Sequence, residues 1–377
     1  MAVLIFKPTE NCNSNCVYCE VTKKKNIKVM SQDLLELTFV RINEYLSEYA
    51  DEELVLTWHG GEPCLLGVDY FRKTLEYQDK LCPTTKGRIK HLIQSNLTLV
   101  TQDYLDTFKE LGITNIGSSY DPIPHIRGFG PERDSNAYNA HFLKGIDLLR
   151  MNKMTWGVIY VVHRRSLDRP LEILNYLTNL NLDSAPNFHR IKVIYEDKDR
   201  LAISAREFAD FLGTMFKVWW ADRDRYGAVQ PFQWYADNII DNKISLNCEI
   251  SGDCAYRWFY LGPEGEASHC GIGGDYRALS YGNIKDRSIH DILHDRQRDE
   301  MAKRQIVLAE TKCKDCRFWR ICHGGCPIAA YLKNGDFHHP APSCEETTIF
   351  FEEYFEPITG IKVDLKRDPR QRQEYPA

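Results

Sequence analysis

Three cysteines stand close together near the start of the chain. Cys12, Cys16 and Cys19 are spaced C-x3-C-x2-C and follow a short apolar run from Val3 to Phe6. Three thiolates in one loop can each hold an iron of a [4Fe–4S] cubane and leave the fourth iron without a protein ligand. An open iron can chelate a small molecule through an amine and a carboxylate, and one electron from the cluster can then cleave a bond in it. Zinc is the competing reading, but three close cysteines with no fourth beside them suit a closed four-cysteine zinc site badly.

Eight more cysteines lie after Asn247: Cys248, Cys254, Cys270, Cys313, Cys316, Cys322, Cys326 and Cys344. Their spacings are C-x5-C-x15-C and then C-x2-C-x5-C-x3-C-x17-C. Eight thiolates complete two [4Fe–4S] clusters with no open position, or two four-cysteine zinc sites, and spacing alone does not separate iron from zinc. Only Cys64 and Cys82 remain of the thirteen. Both read as small buried residues, although Cys64 follows Gly60-Gly61-Glu62-Pro63 and so stands near the candidate site.

The elements that must position these groups are legible as alternating patterns over roughly the first 230 residues. Strand-like runs cover Val3–Phe6, Leu54–Trp58, Ile89–Ile93, Ile113–Ser118, Val158–Val162 and Ile191–Tyr195. Ser31 is placed to cap a helix with the apolar stripe Leu35, Phe39, Ile42, Leu46, and the chain returns to helix from Ser204 to about Tyr226. Six βα units predict a parallel sheet with helices outside it, either doubly wound or a partial barrel. Ligands of such sheets gather at the carboxyl ends of the strands. After about Gln230 cysteines, glycines and short segments dominate, which reads as a small domain held by metal rather than by a large core. From Lys362 the chain is charged, includes Asp368-Pro369-Arg370, and reads as a loose or draped extension. The basic run Lys23–Lys25 reads as a solvated loop.

Composition narrows the function classes. Apolar residues make up 43% of the 377, charged residues 27%, and the formal net charge is −5. A general nucleic-acid binder would carry a basic footprint instead. No run reaches the length of a membrane span and none reads as a secretory leader, so the expectation is a cytoplasmic protein with neither nucleic acid nor membrane as partner. In a reducing compartment, clustered cysteines read as metal ligands rather than disulfides.

The segment Cys12-Asn13-Ser14-Asn15-Cys16-Val17-Tyr18-Cys19 resembles the signature of radical S-adenosylmethionine (SAM) enzymes, including the aromatic residue before the last cysteine. Gly60-Gly61-Glu62-Pro63, at the end of the second strand, resembles the segment that holds the SAM amino group in that family. The resemblance implies a partial (β/α)6 TIM-like barrel and a SAM-binding [4Fe–4S] cluster on Cys12, Cys16 and Cys19. It implies that Tyr18 contacts adenine through its backbone, that Gly60, Gly61 and Glu62 serve the amino group, and that Ser95 and Asn96 contact the ribose. Ser119-Tyr120-Asp121-Pro122 is similar to the family's Ser-x-Asp-Gly-Pro, with Pro122 in the usual glycine position. Ser119 would bind the SAM carboxylate with an arginine, either Arg127 or its rival Arg133.

The later cysteines, with the turn Gly262-Pro263-Glu264-Gly265 and the run Cys322-His323-Gly324-Gly325-Cys326-Pro327, resemble the SPASM domain of radical SAM peptide maturases. Carried over by position, Cys248, Cys254, Cys270 and Cys326 would hold one auxiliary [4Fe–4S] cluster, and Cys313, Cys316, Cys322 and Cys344 the other. The expected domains are a barrel over 1–235, a SPASM domain over 236–350 and a tail over 351–377. The implied cofactors are SAM and three [4Fe–4S] clusters.

The resemblance reaches two reactions. Spacing is most similar to anaerobic sulfatase-maturating enzymes, which oxidise a serine or cysteine to formylglycine and need a base for a second proton. An aspartate directly follows the third SPASM cysteine in that group. Here the position is Gly271, with Asp275 a few residues on, and Pro327 stands where a basic residue is usual. These departures favour a C–S or C–C crosslink in a ribosomal peptide, with formylglycine formation as the alternative. A non-catalytic iron–sulfur electron carrier or metal-binding protein is the reading from another class, and it leaves Gly60-Gly61-Glu62 without a use. Expected partners are a peptide or protein substrate, an electron donor such as flavodoxin or ferredoxin, and a separate leader-binding protein.

Overall fold

The computed structural model describes residues 1–21, 28–192, 200–241, 243 and 247–366. Lys23–Lys25, the part 193–195 of the last expected strand, and Asp368-Pro369-Arg370 lie outside the described residues. Six strands alternate with helices: β1 (Ala2–Phe6), α1 (Gln32–Glu48), β2 (Leu54–Trp58), α2 (Val68–Leu81), β3 (Ile89–Gln94), α3 (Gln102–Glu110), β4 (Asn115–Ser119), α4 (Ser135–Met151), β5 (Thr155–Val162), α5 (Pro170–Thr178), β6 (Asn187–Arg190) and α6 (Ala205–Ala221). Two short helices follow, α7 (Arg223–Tyr226) and α8 (Phe232–Ile239).

The strands pair in parallel in unbroken chain order from β1 to β6. A doubly wound sheet reverses direction at a switch point; this one does not. Right-handed crossovers that always advance to the same edge leave every helix on one face, and the sheet curls with its other face inward. The partial barrel is thus the outcome of the two sheets the pattern allowed. Alternation along the strands agrees. In β2, Leu54, Leu56 and Trp58 are buried while Val55 and Thr57 are half-buried, and Trp58 lies against Phe71 of α2. The half-buried set therefore faces the lumen.

Local sequence accounts for the helices. Ser31 caps α1, its side chain accepting from the Leu34 backbone N–H, and Leu35, Phe39, Ile42 and Leu46 are fully buried beneath it. A reciprocal pair of hydrogen bonds between Ser204 and Glu207 opens α6. The sixth strand, Asn187–Arg190, aligns with Ile159–Val162 of β5.

The cysteine-rich part joins the barrel's sheet. Its strand β7 (Trp258–Leu261) pairs in parallel with β1, and β8 (Ala267–Ser268) returns antiparallel through the turn Gly262–Gly265. An open edge of β1 is covered in this way, and Phe259, Leu261, Ile289 and Ile292 join the barrel's own apolar core. The remaining helices are α9 (Gly271–Asp275), α10 (Ile289–Leu293), α11 (Arg296–Glu310), α12 (Trp319–Cys322), α13 (Pro327–Asn334), α14 (Cys344–Ile349) and α15 (Glu356–Thr359). A wide turn over Phe350–Phe355 joins α14 to α15, and Phe355 stacks on Phe216 of α6. From Lys362 the chain lies along the cysteine-rich part, where the Leu365 N–H donates to the Arg317 carbonyl at 2.7 Å.

Candidate functional site

The cysteine loop leaves β1 and is held from below by the loop after β2. The Gly61 N–H donates to the Thr9 carbonyl at 3.1 Å and the Glu62 N–H to the Asn11 carbonyl at 2.8 Å. A Cβ at Gly60 would meet the Thr9 oxygen at 2.2 Å, and one at Gly61 the Asn11 oxygen at 1.9 Å. The close approach that requires two glycines is therefore to the cysteine loop itself. From the side, the Asn15 and Val17 N–H groups donate to the carbonyls of Gly128 and Ile126.

Cys12, Cys16 and Cys19 stand within electrostatic range of one another. Burial pushes the Cys12 thiol up to about 12 and the Cys16 thiol up to about 11, so ionised sulfur there calls for a bound metal or a cation. None of the thirteen cysteines is in a disulfide. Cys64 and Cys82 are buried, as a packing role requires.

Glu62 is fully buried and already has partners. Its carboxylate accepts from the Cys64 N–H at 3.0 Å, the Ser95 hydroxyl at 2.8 Å and the Asn96 N–H at 2.6 Å. Burial raises its pKa against these hydrogen bonds. It fastens the loop after β2 to the loop after β3. Asn96 continues the chain of contacts: its amide donates to Asn13 Oδ1 at 2.8 Å and Ser14 Oγ at 3.2 Å, while its oxygen accepts from Thr98. Here, then, the side chains of Glu62, Ser95 and Asn96 bind protein groups around the cysteine loop. This bracing role is not announced by the sequence around any of the three. Ser119, half-buried at the end of β4, accepts from Gln94 at 3.4 Å.

Arg127 and Arg133 occupy different surroundings. Arg127 is buried, and its guanidinium donates to the Tyr138 hydroxyl from Nε (3.0 Å) and Nη2 (2.8 Å) and to the Tyr18 hydroxyl from Nη1 (3.0 Å). It lies in the field of Cys16 and forms no ion pair with a carboxylate among the described residues. A guanidinium has five N–H donors, so it retains capacity for an anion beside the cluster loop. Arg133 is half-buried and donates through Nε to the Asn15 carbonyl at 3.0 Å, bracing the loop from outside. Behind the loop, Asp121 and His163 form a pair at 2.8 Å, both side chains wholly buried.

The eight later cysteines separate into two neighbourhoods. Cys248, Cys254, Cys270 and Cys326 lie within one another's fields, and Cys313, Cys316, Cys322 and Cys344 within one another's. Among the described residues, no three His, Cys, Asp or Glu side chains converge on a point for a single ion. All eight donors are sulfur, the donor type of [4Fe–4S] clusters, whose cysteines each bind a different iron. Lys192 stands beside Cys248, Cys270 and Cys326 and pairs with Glu249.

Over the barrel mouth, α9 brings Asp275 to Lys7, the first residue after β1. The Lys7 ammonium meets both carboxylate oxygens, at 2.7 and 2.8 Å, and is 1% exposed against 19% for the aspartate. His59, after β2, lies in the field of both and is pushed down to about 4, chiefly by burial and then by Lys7. Gly271 is one helical turn before Asp275, on the same face of α9, and its nearest neighbour is the Ile5 side chain in the lumen wall. Lys7 and His59 escaped the sequence reading. A lysine ending an apolar strand was the available signal. A cavity of about 570 Å3 lies between β6 and the cysteine-rich part, lined by Phe188, Trp234, Ile272, Cys326 and the ion pairs Lys192–Glu249 and Arg190–Glu346.

Comparison with known proteins defines the class. Residues 6–177 match the radical SAM superfamily and residues 252–317 the SPASM iron–sulfur cluster-binding domain. The chain is a radical SAM enzyme with a SPASM domain, and its cofactors are SAM and [4Fe–4S] clusters, three in number. Within that class it is related to anaerobic sulfatase-maturating enzymes. The serine-type enzyme of Bacteroides thetaiotaomicron is 24% identical over 97% of this chain and 91% of its own. The cysteine-type enzyme of Clostridium perfringens is 22% identical over 97% of this chain and 99% of its own. The solved structure of native anSMEcpe with bound AdoMet superposes with a TM-score of 0.79 at 22% identity, over 96% of this chain and 98% of that one. At this identity the superposition shows the fold. No helix among the described residues is long and apolar enough to cross a membrane.

Proposed function

We propose that the protein modifies a peptide or protein by a two-electron oxidation at carbon, with Cys12, Cys16 and Cys19 holding the SAM-binding cluster. When bound, that cluster and SAM supply a 5′-deoxyadenosyl radical as the hydrogen abstractor. The chain's own residues do the rest. Gly60, Gly61, Glu62 and Asn96 fix the cysteine loop, and Arg127 offers its remaining N–H groups to the SAM carboxylate. Cys248, Cys254, Cys270 and Cys326 hold one auxiliary cluster, and Cys313, Cys316, Cys322 and Cys344 the other.

The observation that carries the reading is the convergence at one barrel mouth of the cysteine loop, the ends of β1 to β4 and the Lys7–Asp275 pair. Asp275 is the candidate acceptor for the proton that leaves the oxidised carbon. It puts a carboxylate one turn beyond Gly271, and the relatives matched over nearly their full length are sulfatase-maturating enzymes. Those two facts favour formylglycine formation. Gly271 itself and Pro327 favour a crosslink, with a separate leader-binding protein supplying recognition. Both need an outside electron donor such as flavodoxin or ferredoxin. Anaerobic co-expression with the short open reading frames beside the gene, followed by mass measurement, separates them. A peptide that has lost hydrogen and resists carbonyl reagents means a crosslink; one that reacts means formylglycine; unmodified peptides throughout would count against peptide modification.

A further inference from the structure

Two arginines of α11, Arg298 and Arg304, are both fully buried, and neither forms an ion pair with a carboxylate among the described residues. Arg298 donates to the carbonyls of Ile292 (2.7 Å), Ala255 (2.6 Å) and Trp258 (2.9 Å), contacts His269 Nδ1 at 3.2 Å and lies over the Tyr281 ring at 4.2 Å. Its Nη2 has no hydrogen-bond partner among the described residues. The carboxylate of Asp295 is taken by Arg287 at 2.6 Å. Arg304 donates to the carbonyls of His323 (3.1 Å), Gly324 (2.6 Å) and His339 (2.9 Å), and its Nε has no partner among the described residues.

A buried guanidinium surrounded only by neutral partners is costly; apolar residues of similar volume would serve packing better. Sulfur lies close to both. Ala255 and His269 adjoin Cys254 and Cys270, and both thiols lie in the field of Arg298. His323 and Gly324 lie between Cys322 of one set and Cys326 of the other. The field of Arg304 covers Cys326, Cys322, Cys254 and Cys313, which belong to both sets. The glycine is part of the arrangement: Gly324 has φ +78°, and a Cβ there would come within 2.9 Å of the Arg304 Nη1. Four thiolates around a cubane leave net negative charge, which grows with each electron accepted. A fixed cation in a low-dielectric interior offsets it, and net charge is among the determinants of cluster potential.

We propose that Arg298 and Arg304 are the counter-charges of the auxiliary clusters, holding their reduction potentials up, with Arg298 acting on one cluster and Arg304 on both. The inference rests on the cluster assignment proposed above. The test uses the full-length protein, reconstituted anaerobically, with iron content and potentiometric electron paramagnetic resonance as readouts. Arg304→Gln is expected to shift both auxiliary signals to more negative potential. Arg298→Gln shifts only the signal that disappears in Cys254→Ala. The signal perturbed by adding SAM stays in place in both, and Arg304→Lys and Arg298→Lys return the potentials towards wild type. Loss of an auxiliary cluster in the Gln variant but not in the Lys variant also supports a charge requirement. Unmoved potentials with all clusters present would overturn the inference, as would loss in Gln and Lys variants alike, which marks a role of shape. Absence of auxiliary clusters from the wild-type protein would overturn the assignment itself, and the inference with it.

Discussion

The molecule gathers cysteines in two regions by different means. At the barrel mouth, three thiols ride on a loop pinned by main-chain hydrogen bonds from the ends of β2 and β4, with two glycines allowing contact. In the cysteine-rich part, eight thiols are grouped around side chains, with Arg298 and Arg304 threaded between the ligand segments. The first arrangement has one buried arginine, Arg127, beside it with donors to spare. In the second, Cys254, Cys313 and Cys322 are buried, Cys248 is exposed and the other four are half-buried. On the reading proposed above, the site that admits SAM is held by main-chain contacts, and the sites that pass electrons have buried arginines beside them.

The sharpest test of this contrast is a pair of glycine substitutions. Gly61→Ala sets a Cβ 1.9 Å from the Asn11 carbonyl oxygen. It is expected to reduce SAM cleavage to background while iron analysis and spectroscopy still find the auxiliary clusters. Gly324→Ala, at φ +78° and against Arg304 and Leu308, should do the reverse, sparing the SAM cluster. If either variant loses all clusters equally, the two regions are not independent.

Asp275→Asn comes next. It leaves the Lys7 ammonium buried without its counter-ion, a loss of about 3 kcal/mol in chemical unfolding, and Lys7→Met should cost less because Asp275 is partly exposed. Modified product should fall in Asp275→Asn while 5′-deoxyadenosine still forms. Equal loss of both would remove Asp275 from the proton-accepting role. Glu62→Ala strips the acceptor from three buried donors, at a cost of about 2 kcal/mol, and should loosen the SAM cluster without touching the other two. The smallest effect is on pH dependence within the barrel. His91 is neutral and buried, its Nδ1 accepting from Trp58 at 3.1 Å, and burial pushes it down from 6.5 to about 4. The unfolded chain therefore takes up the proton first. The contribution to stability is intact above pH 6.5 and is lost as pH falls towards 4, and His91→Gln should flatten that slope in thermal melts.

The parts of this site that are local in sequence were legible from it. The cysteine triplet, Gly60-Gly61-Glu62 and the capped stripe of α1 each declare themselves within a few residues. The turn Gly262–Gly265 was legible too, though not that it would add β7 to the open edge beside β1. What stayed hidden depends on distant partners. Lys7 and Asp275 are 268 positions apart, and nothing near either residue in the chain announces the other. Arg298 and Arg304 sit in a helix of charged residues and read as surface until their burial is seen. Glu62 shows a different limit: its type does not announce the donors of Cys64, Ser95 and Asn96 that it accepts from.

The central claim is that three thiols at the barrel mouth form an open SAM-binding site distinct from two closed sites. Cys12→Ala, purified and reconstituted anaerobically beside the wild type, tests it directly through 5′-deoxyadenosine release and cluster content. The account predicts that SAM cleavage disappears while both auxiliary clusters remain. Continued cleavage of SAM by that variant would contradict it.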